Sequence, residues 1–246
     1  MIKKAEQNLY ELYKQVDTLK NDFRNKNLYK LIVSKLRGRT LLDIGCGVGH
    51  LLFLAAKMGF KGVGVEPSKS LQKLHLKIYP QSRFQIIDGD ARSVTKVFQS
   101  QVDNVTLIDV LEHISDDRGT LRALKKVLSK AGKLIIVVPA HPYLYGKRDK
   151  SIGHFRRYSK KELGDKLEVA GYVIEEIRFW NVLGIFPYFI SEKILKRELR
   201  VKLRENKRQT FFEKVLIFLL DKWFFYIENN IDFMFGLSLI CVAKKA

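Results

Sequence analysis

Apolar residues along this chain fall into short blocks separated by polar and glycine-rich stretches, and the spacing inside each block predicts its element. Leu41, Leu42 and Ile44 form a brief run that reads as a buried strand, as do residues 62–66, 84–91, 103–109, 133–139 and 172–181. Between these runs the apolar positions recur at helical spacing. Leu51, Leu52, Leu54, Ala55 and Met58 share one side of a helix that stops at Gly59, and a second helix covers 68–78. Leu121, Leu124 and Leu128 line a third, which opens on Asp116 and Asp117 and closes at Gly132. Ser159 and Glu162 make a capping box for a fourth, with Leu163, Leu167 and Ala170 inward and Gly171 as its stop. A last strand covers 236–243, and residues 1–36 read as helical. Strand and helix in alternation predict an α/β fold, a doubly wound sheet with helices on both faces.

The first strand runs straight into Gly45-Cys-Gly47-Val-Gly49, with a helix directly behind it. Glycines there let the backbone turn tightly and approach a ligand without a Cβ in the way. Strand, glycine turn and helix N-terminus together form a nucleotide-binding opening. Glu66 ends the second strand about 20 positions later, where a carboxylate can accept hydrogen bonds from both ribose hydroxyls. That device serves a nucleoside ligand without saying which one.

The glycine spacing narrows the choice. A dinucleotide fingerprint would place its last glycine at His50, whereas here the order is Gly45-x-Gly47-x-Gly49 after Asp43. This resembles motif I of the class I S-adenosylmethionine-dependent methyltransferases. The ending Asp88-Gly-Asp90-Ala91 resembles the adenine-contacting motif of that family, with a carboxylate for the exocyclic amine and Ala91 against the ring. Asp109-Val-Leu-Glu112-His113 resembles its motif IV, in the Asp-x-x-Glu-His form found among enzymes acting on small and lipid-like molecules. It departs from the Asn-Pro-Pro-Tyr form used on nucleic-acid bases. The resemblance implies a Rossmann-like seven-stranded sheet in the order 3-2-1-4-5-7-6, the last strand antiparallel. It implies S-adenosyl-L-methionine as cofactor and S-adenosyl-L-homocysteine as product. Asp43, Gly45, Cys46, Gly47, Gly49, Glu66, Pro67, Asp90, Ala91 and Asp109 are the cofactor-binding positions it carries over. Some ubiquinone-type relatives hold a divalent metal at a similar acidic-acidic-His motif; Asp109 replaces the first Glu here, and no metal is expected.

Residues 140–158 follow the fifth strand at the edge where open α/β sheets bind ligands, and the connection is long. The run Gly153-His-Phe-Arg-Arg-Tyr158 resembles a Gly-His-x-Arg-Arg-Tyr signature of a little-characterised bacterial group in this class. His113, His154 and Tyr158 are the candidate catalytic groups, since imidazole titrates near neutrality and can take a hydroxyl proton. His141, Tyr145, Arg156 and Arg157 are candidates for holding the acceptor. A second reading stands beside this one: Arg156 and Arg157 pair with acids on the sheet, and Tyr158 packs.

Composition adds limits. Hydrophobic residues make up 46% of 246, enough for a sizeable core and a single domain with an insertion. Two cysteines, Cys46 and Cys241, suggest reduced thiols. The start Met-Ile-Lys-Lys leads into no apolar segment, so no secretory signal is expected, and the reading is cytoplasmic, extending to the inner face of the membrane. The formal charge is +19, with basic clusters at 147–161 and 193–208 that suit an anion. Residues 1–36 are expected to cover the cofactor, with Tyr10 or Tyr13 near it. Residues 183–235 form an insertion where the family has a short connection. Its helix 211–226 reads either as a lid packed on both sides, across a dimer in one version, or as an element touching anionic lipid. The expected reaction is methyl transfer to oxygen of a small or lipid- or glycan-linked acceptor. The alternatives are RNA methylation, for which no RNA-binding module is evident, and a non-catalytic cofactor-binding partner of a membrane glycosyltransferase.

Overall fold

The computed structural model describes residues 22–195 and 210–246. Seven strands form one sheet: β1 (Thr40–Ile44), β2 (Lys61–Glu66), β3 (Gln85–Asp88), β4 (Val102–Ile108), β5 (Leu128–Pro139), β6 (Tyr172–Trp180) and β7 (Ser238–Lys245). The order is β3-β2-β1-β4-β5-β7-β6. Strands β1 to β5 pair in parallel, and β7 runs antiparallel between β5 and β6. The helices are α1 (Phe23–Lys35), α2 (His50–Lys57), α3 (Lys69–Ile78), the single turn α4 (Val94–Val97), α5 (Asp117–Val127), α6 (Lys147–Ile152), α7 (Lys160–Val169), α8 (Val182–Phe189) and α9 (Phe211–Trp223). This is the sheet that the resemblance implies, including its reversed last strand.

Both faces of the sheet are covered, because alternate residues of a strand point to opposite sides. Leu42, Ile44, Leu134, Ile136 and Val138 pack on one side against Leu121 and Leu124 of α5 and Leu163 and Leu167 of α7. Leu41, Ile135 and Val137 face the other side, where Leu28 and Ile32 of α1, Leu51 and Leu52 of α2 and Phe224 complete a second core. The caps follow the sequence. Asp116 accepts from the Gly119 amide at 2.9 Å and Ser159 from the Glu162 amide at 3.1 Å. Glu162 itself turns to Lys166, so the capping box expected at Ser159 forms only on its Ser side.

Two boundaries differ from the periodicity. Helix α5 ends at Val127, and β5 starts at Leu128 instead of 133, with Leu128 paired to Val102. Leu128 is fully buried in either conformation, so hydrophobicity could not separate them. Strand β3 stops at Asp88, which leaves Gly89, Asp90 and Ala91 as a turn.

Helix α1 is capped by Asp22, which accepts from the Asn25 amide at 3.1 Å, and it packs on the second core. Tyr10 and Tyr13 lie outside the described residues, as does most of the basic stretch 193–208. In the insertion, α8 continues through a π-turn, Ile190–Ile194, and α9 through another, Phe224–Glu228. The predicted capping box at Thr210 and Glu213 is present. Within this one chain none of the residues of α9 is buried, and Ile217, Leu220 and Trp223 lean on the core. Among the described residues no helix is long and apolar enough to cross a membrane.

Candidate functional site

The site lies along the C-terminal edge of the parallel strands. Gly45 follows β1 with φ +68°, and a Cβ there would sit 2.5 Å from Val110. Gly49 caps α2 with φ +84°, and a Cβ there would meet Phe84 at 2.6 Å. An L side chain at either position would strain the turn and collide as well. Glu66, at the end of β2, reaches back to this turn: one oxygen accepts from the Gly47 amide and the other from the Ser68 amide, both at 2.9 Å. The carboxylate expected to take the ribose and the glycine turn are thereby one unit.

Asp43 is buried inside β1 and accepts from the Thr106 hydroxyl at 2.6 Å. Burial pushes its carboxyl up to about 7; Thr106 opposes this and the charge of Glu66 adds to it. Such a group favours a cation placed beside it. Cys46 turns its sulfur toward Gly64, and burial pushes the thiol well above its usual range, so it is a packing group rather than a nucleophile. Pro67 is exposed beyond β2, and Ala91 is buried beneath the turn that follows β3. Asp90 accepts from the Ser93 amide and from Arg92, whose guanidinium is 2.7 Å away. Burial opposes its ionisation, but these donors hold its carboxyl below the usual range.

Among the described residues three other than glycine adopt positive φ: Asp109, His141 and Asn181. They lie within two residues of the ends of β4, β5 and β6, so all three are on the same sheet edge. Left-handed backbone at such positions is costly and concentrates at functional sites. Asp109 is exposed and pairs with Arg24 of α1 at 3.5 Å. Arg24 also packs over Trp180 and donates to Ser238. His141 stacks on Phe179, with ring centroids 5.0 Å apart. Sequence reasoning had no signal for Arg24, which lies far from the edge in the chain.

Four groups gather where the 3₁₀ turn after β4 (Leu111–His113) meets the loop after β5. The His154 Nδ1 lies 2.9 Å from Asp149, and its Nε2 lies 3.6 Å from Glu112. The His113 and His154 rings meet edge to face at 4.6 Å. Asp149 is buried and also accepts from Arg157, the Tyr188 hydroxyl and the Gly146 amide. Burial works against its charge, yet His154 and Arg157 hold the carboxyl far below the usual range. An ionised Asp149 can only accept, so Nδ1 of His154 carries the proton and Nε2 is its basic nitrogen. Glu112 is fully buried, and neither carboxylate oxygen has a hydrogen-bond partner. Burial, then the charge of Asp109, push its carboxyl well above the usual range. Burial and the neighbouring His154 lower His113. Glu112, His113 and His154 offer ligand atoms within 4.8 Å of one another, a donor set that fits a divalent ion.

The loop signature resolves in favour of its second reading. Tyr158 is fully buried and donates to Asp117 at 2.9 Å; burial and then the charge of Asp117 push its hydroxyl far above the usual range. It cannot reach a substrate, which removes the catalytic role expected for it. Arg157 is buried in its pair with Asp149 at 2.8 Å, and Arg156 pairs with Asp117 at 2.6 Å. Both arginines spend their charge on acids of the chain, so the acceptor-holding role expected for them is replaced by holding the loop. Tyr145 donates to the His154 carbonyl at 2.8 Å and steadies the same loop. The exposed aromatic groups here are Tyr143 and Phe155. Asp149, the centre of the network, was legible only as one charge among many in a basic stretch.

Comparison with known proteins gives the family and the fold. Residues 14–177 match the family described as Methyltransferase domain. A probable S-adenosylmethionine-dependent methyltransferase of Mycolicibacterium smegmatis is 26% identical over 165 residues, 66% of this chain and 61% of that protein. A ubiquinone biosynthesis O-methyltransferase of Xanthomonas euvesicatoria is 27% identical over 159 residues, 58% of this chain and 66% of that protein. The chain thus spans a little under two thirds of these curated relatives. Among solved structures, a SAM-dependent methyltransferase from Archaeoglobus fulgidus superposes with a TM-score of 0.55 at 20% identity, over 88% of this chain and 94% of that one. The [4+2]-cyclase SpnF superposes at 0.58 and 19% identity, over 89% and 79%. Likeness at that level concerns the fold alone.

Proposed function

The chain belongs to the Methyltransferase domain family, and on that premise we propose that it transfers the methyl group of S-adenosyl-L-methionine to an oxygen of a small or lipid-linked acceptor. S-adenosyl-L-homocysteine is the other product. The observation that carries this reading is the placement of the Glu66–glycine turn and the His113–His154 pair on one sheet edge. Glu66 takes the ribose hydroxyls, the turn lets the backbone approach the cofactor, and Asp43 favours its cationic end. Asp90 and Ala91 form the adenine side, once Asp90 shares its acceptors with the base. Asp109 stands between the two halves.

The cofactor supplies a methyl group on sulfur that needs little covalent help, so alignment and exclusion of water are the protein's tasks. A hydroxyl acceptor that took the methyl group would pass its proton to an imidazole of the chain. His154 suits this role because Asp149 fixes its tautomer, and His113 lies against it. Tyr143, Phe155 and His141 stacked on Phe179 favour an acceptor with an apolar body. The relative named for ubiquinone biosynthesis supports transfer to oxygen. RNA methylation is not favoured, since Arg156 and Arg157 are committed to acids of the chain.

The test uses methyl-labelled cofactor, the protein and a host extract separated into lipid, nucleic-acid, protein and small-molecule fractions. Label in the lipid or small-molecule fraction is expected. Label lost on ribonuclease treatment overturns the acceptor class, and cofactor binding without label anywhere points to the non-catalytic partner. One second reading has its own observation: the buried, unpartnered Glu112 carboxylate beside two imidazoles fits an ion that would polarise the acceptor hydroxyl. Calorimetric titration with Zn²⁺ and Mg²⁺ checks it, with binding by the wild type and none by Glu112→Gln as the supporting outcome.

A further inference from the structure

The insertion carries an apolar surface that the fold leaves open. Helix α9 turns Ile217 and Leu220 toward the second core, with Phe224 buried one turn on. A surface helix normally presents polar residues on the opposite side. Here that side is the stripe Phe212, Val215, Leu219, Lys222 and Tyr226, with Phe212 at 82% exposure and Leu219 at 57%. Helix α8 repeats the pattern: Val182 and Tyr188 are buried while Phe186, Phe189 and Ile190 are exposed. The loop before β7 joins it through Phe235, which meets Phe186 edge to face at 6.3 Å, next to Met234 at 92% exposure. Single exposed apolar residues are ordinary; a concentration of this kind marks a contact surface.

The charges on this surface are sorted. The acids of α9 are engaged away from the open face: Asp221 with Lys26 at 2.9 Å and with Asn27, Glu213 with the Thr210 cap. The acid following α8, Glu192, is buried and accepts from the Lys147 amide at 2.9 Å. Outward on α9 are Lys214 and Lys222, the latter over the rings of Phe218 and Tyr226 at 5.3 and 5.5 Å. Among the described residues the loop before β7 adds one exposed acid, Asp232, but on α9 the outward charges are lysines beside aromatic rings, and in a protein of charge +19 they complement an anionic headgroup layer. A second copy of the same face would set lysine against lysine.

This surface is wired to the candidate site. The inner side of α8 contributes Tyr188, whose hydroxyl donates to Asp149 at 2.9 Å, and Asp149 holds His154. Lys193 donates to the Tyr145 carbonyl from the same segment. On α8 the thickness of one helix, about 10 Å, separates the exposed rings from the Tyr188 side that meets Asp149.

We infer that the open face of α8, α9 and the loop before β7 docks on an anionic lipid bilayer, holding the acceptor edge at headgroup level. The link to the acceptor rests on the methyl-transfer reading; the docking does not. The test is cosedimentation of the full chain with phosphatidylcholine vesicles and with mixed phosphatidylcholine–phosphatidylglycerol vesicles. Cofactor binding is read separately by calorimetry, so a failed methyltransferase reading and a failed docking are distinguishable. Binding to the mixed vesicles that weakens with salt is expected. Phe212→Ser with Leu219→Ser should reduce it on the order of tenfold or more, and so should Phe186→Ser with Met234→Ser, with cofactor affinity unchanged. Lys214→Glu with Lys222→Glu keeps the rings and should lose the preference for anionic lipid. Absence of wild-type binding to either vesicle overturns the proposal. So does a dimer in sedimentation velocity that the Phe212→Ser, Leu219→Ser variant dissociates, since it would give the face to a second copy.

Discussion

Asp149 and His154 are joined by a 2.9 Å hydrogen bond across a single loop, and Asp149 is ionised while His154 directs its other nitrogen at Glu112. The bond sets the tautomer of the proposed base. His154→Ala should lower kcat about 10²- to 10⁴-fold while leaving cofactor affinity in place. Asp149→Asn should also move the pH dependence of kcat/KM, an effect a purely structural contact would not produce. Rate–pH profiles of both variants check this, and an unchanged profile assigns Asp149 to loop stability alone.

Cofactor affinity should rise with pH through neutrality. Asp43 is pushed up to about 7 by burial, so it is largely protonated at pH 6 in the free protein. A cationic ligand favours the ionised form, and affinity should grow by up to about tenfold per pH unit below that pKa. The sign for stability is opposite. A carboxyl raised from 3.8 favours the folded state at low pH, and that contribution is lost as pH rises from about 4 through about 7. Calorimetry at pH 6 and 8 on wild type and Asp43→Asn tests both parts; a flat wild-type profile would remove Asp43 from the cofactor site.

Glu66→Ala removes the acceptor of the Gly47 and Ser68 amides together with the ribose contacts. Hydrogen bonds to a charged group are worth about 1.5–3 kcal/mol each, so cofactor affinity should fall at least about tenfold. Equilibrium dialysis with labelled cofactor measures it.

The two arginines of the loop should behave differently. Arg157→Ala leaves buried Asp149 short of its main counter-charge and should cost about 3–5 kcal/mol of stability. Arg156 is a quarter exposed, and its partner Asp117 keeps Lys166 at 2.6 Å, so Arg156→Ala should cost about 1 kcal/mol. Urea denaturation of the two variants separates them. Equal losses would contradict the burial difference on which the assignment rests.

The sequence by itself determined the order of strands and helices, the glycine turn, Glu66 and the family. Each of these is local: a run of apolar residues, or a glycine whose backbone must turn where a Cβ would collide. It also placed the loop of residues 140–158 at the ligand edge, because chain order specifies which strand end a loop leaves. Only the tertiary structure decided which polar groups face one another. Arg156, Arg157 and Tyr158 look like a binding signature in one dimension, yet buried Asp117 and Asp149 claim all three. Arg24 meets Asp109, and Tyr188 meets Asp149, across long chain separations that no periodicity encodes. The same holds for α9. Its composition suits a buried helix and a surface one equally, and only the packing of Ile217 and Leu220, with Phe212 and Leu219 left outside, puts it on the surface of the chain. Burial and charge pairing are properties of neighbours in space, and those neighbours exist only once the sheet has assembled.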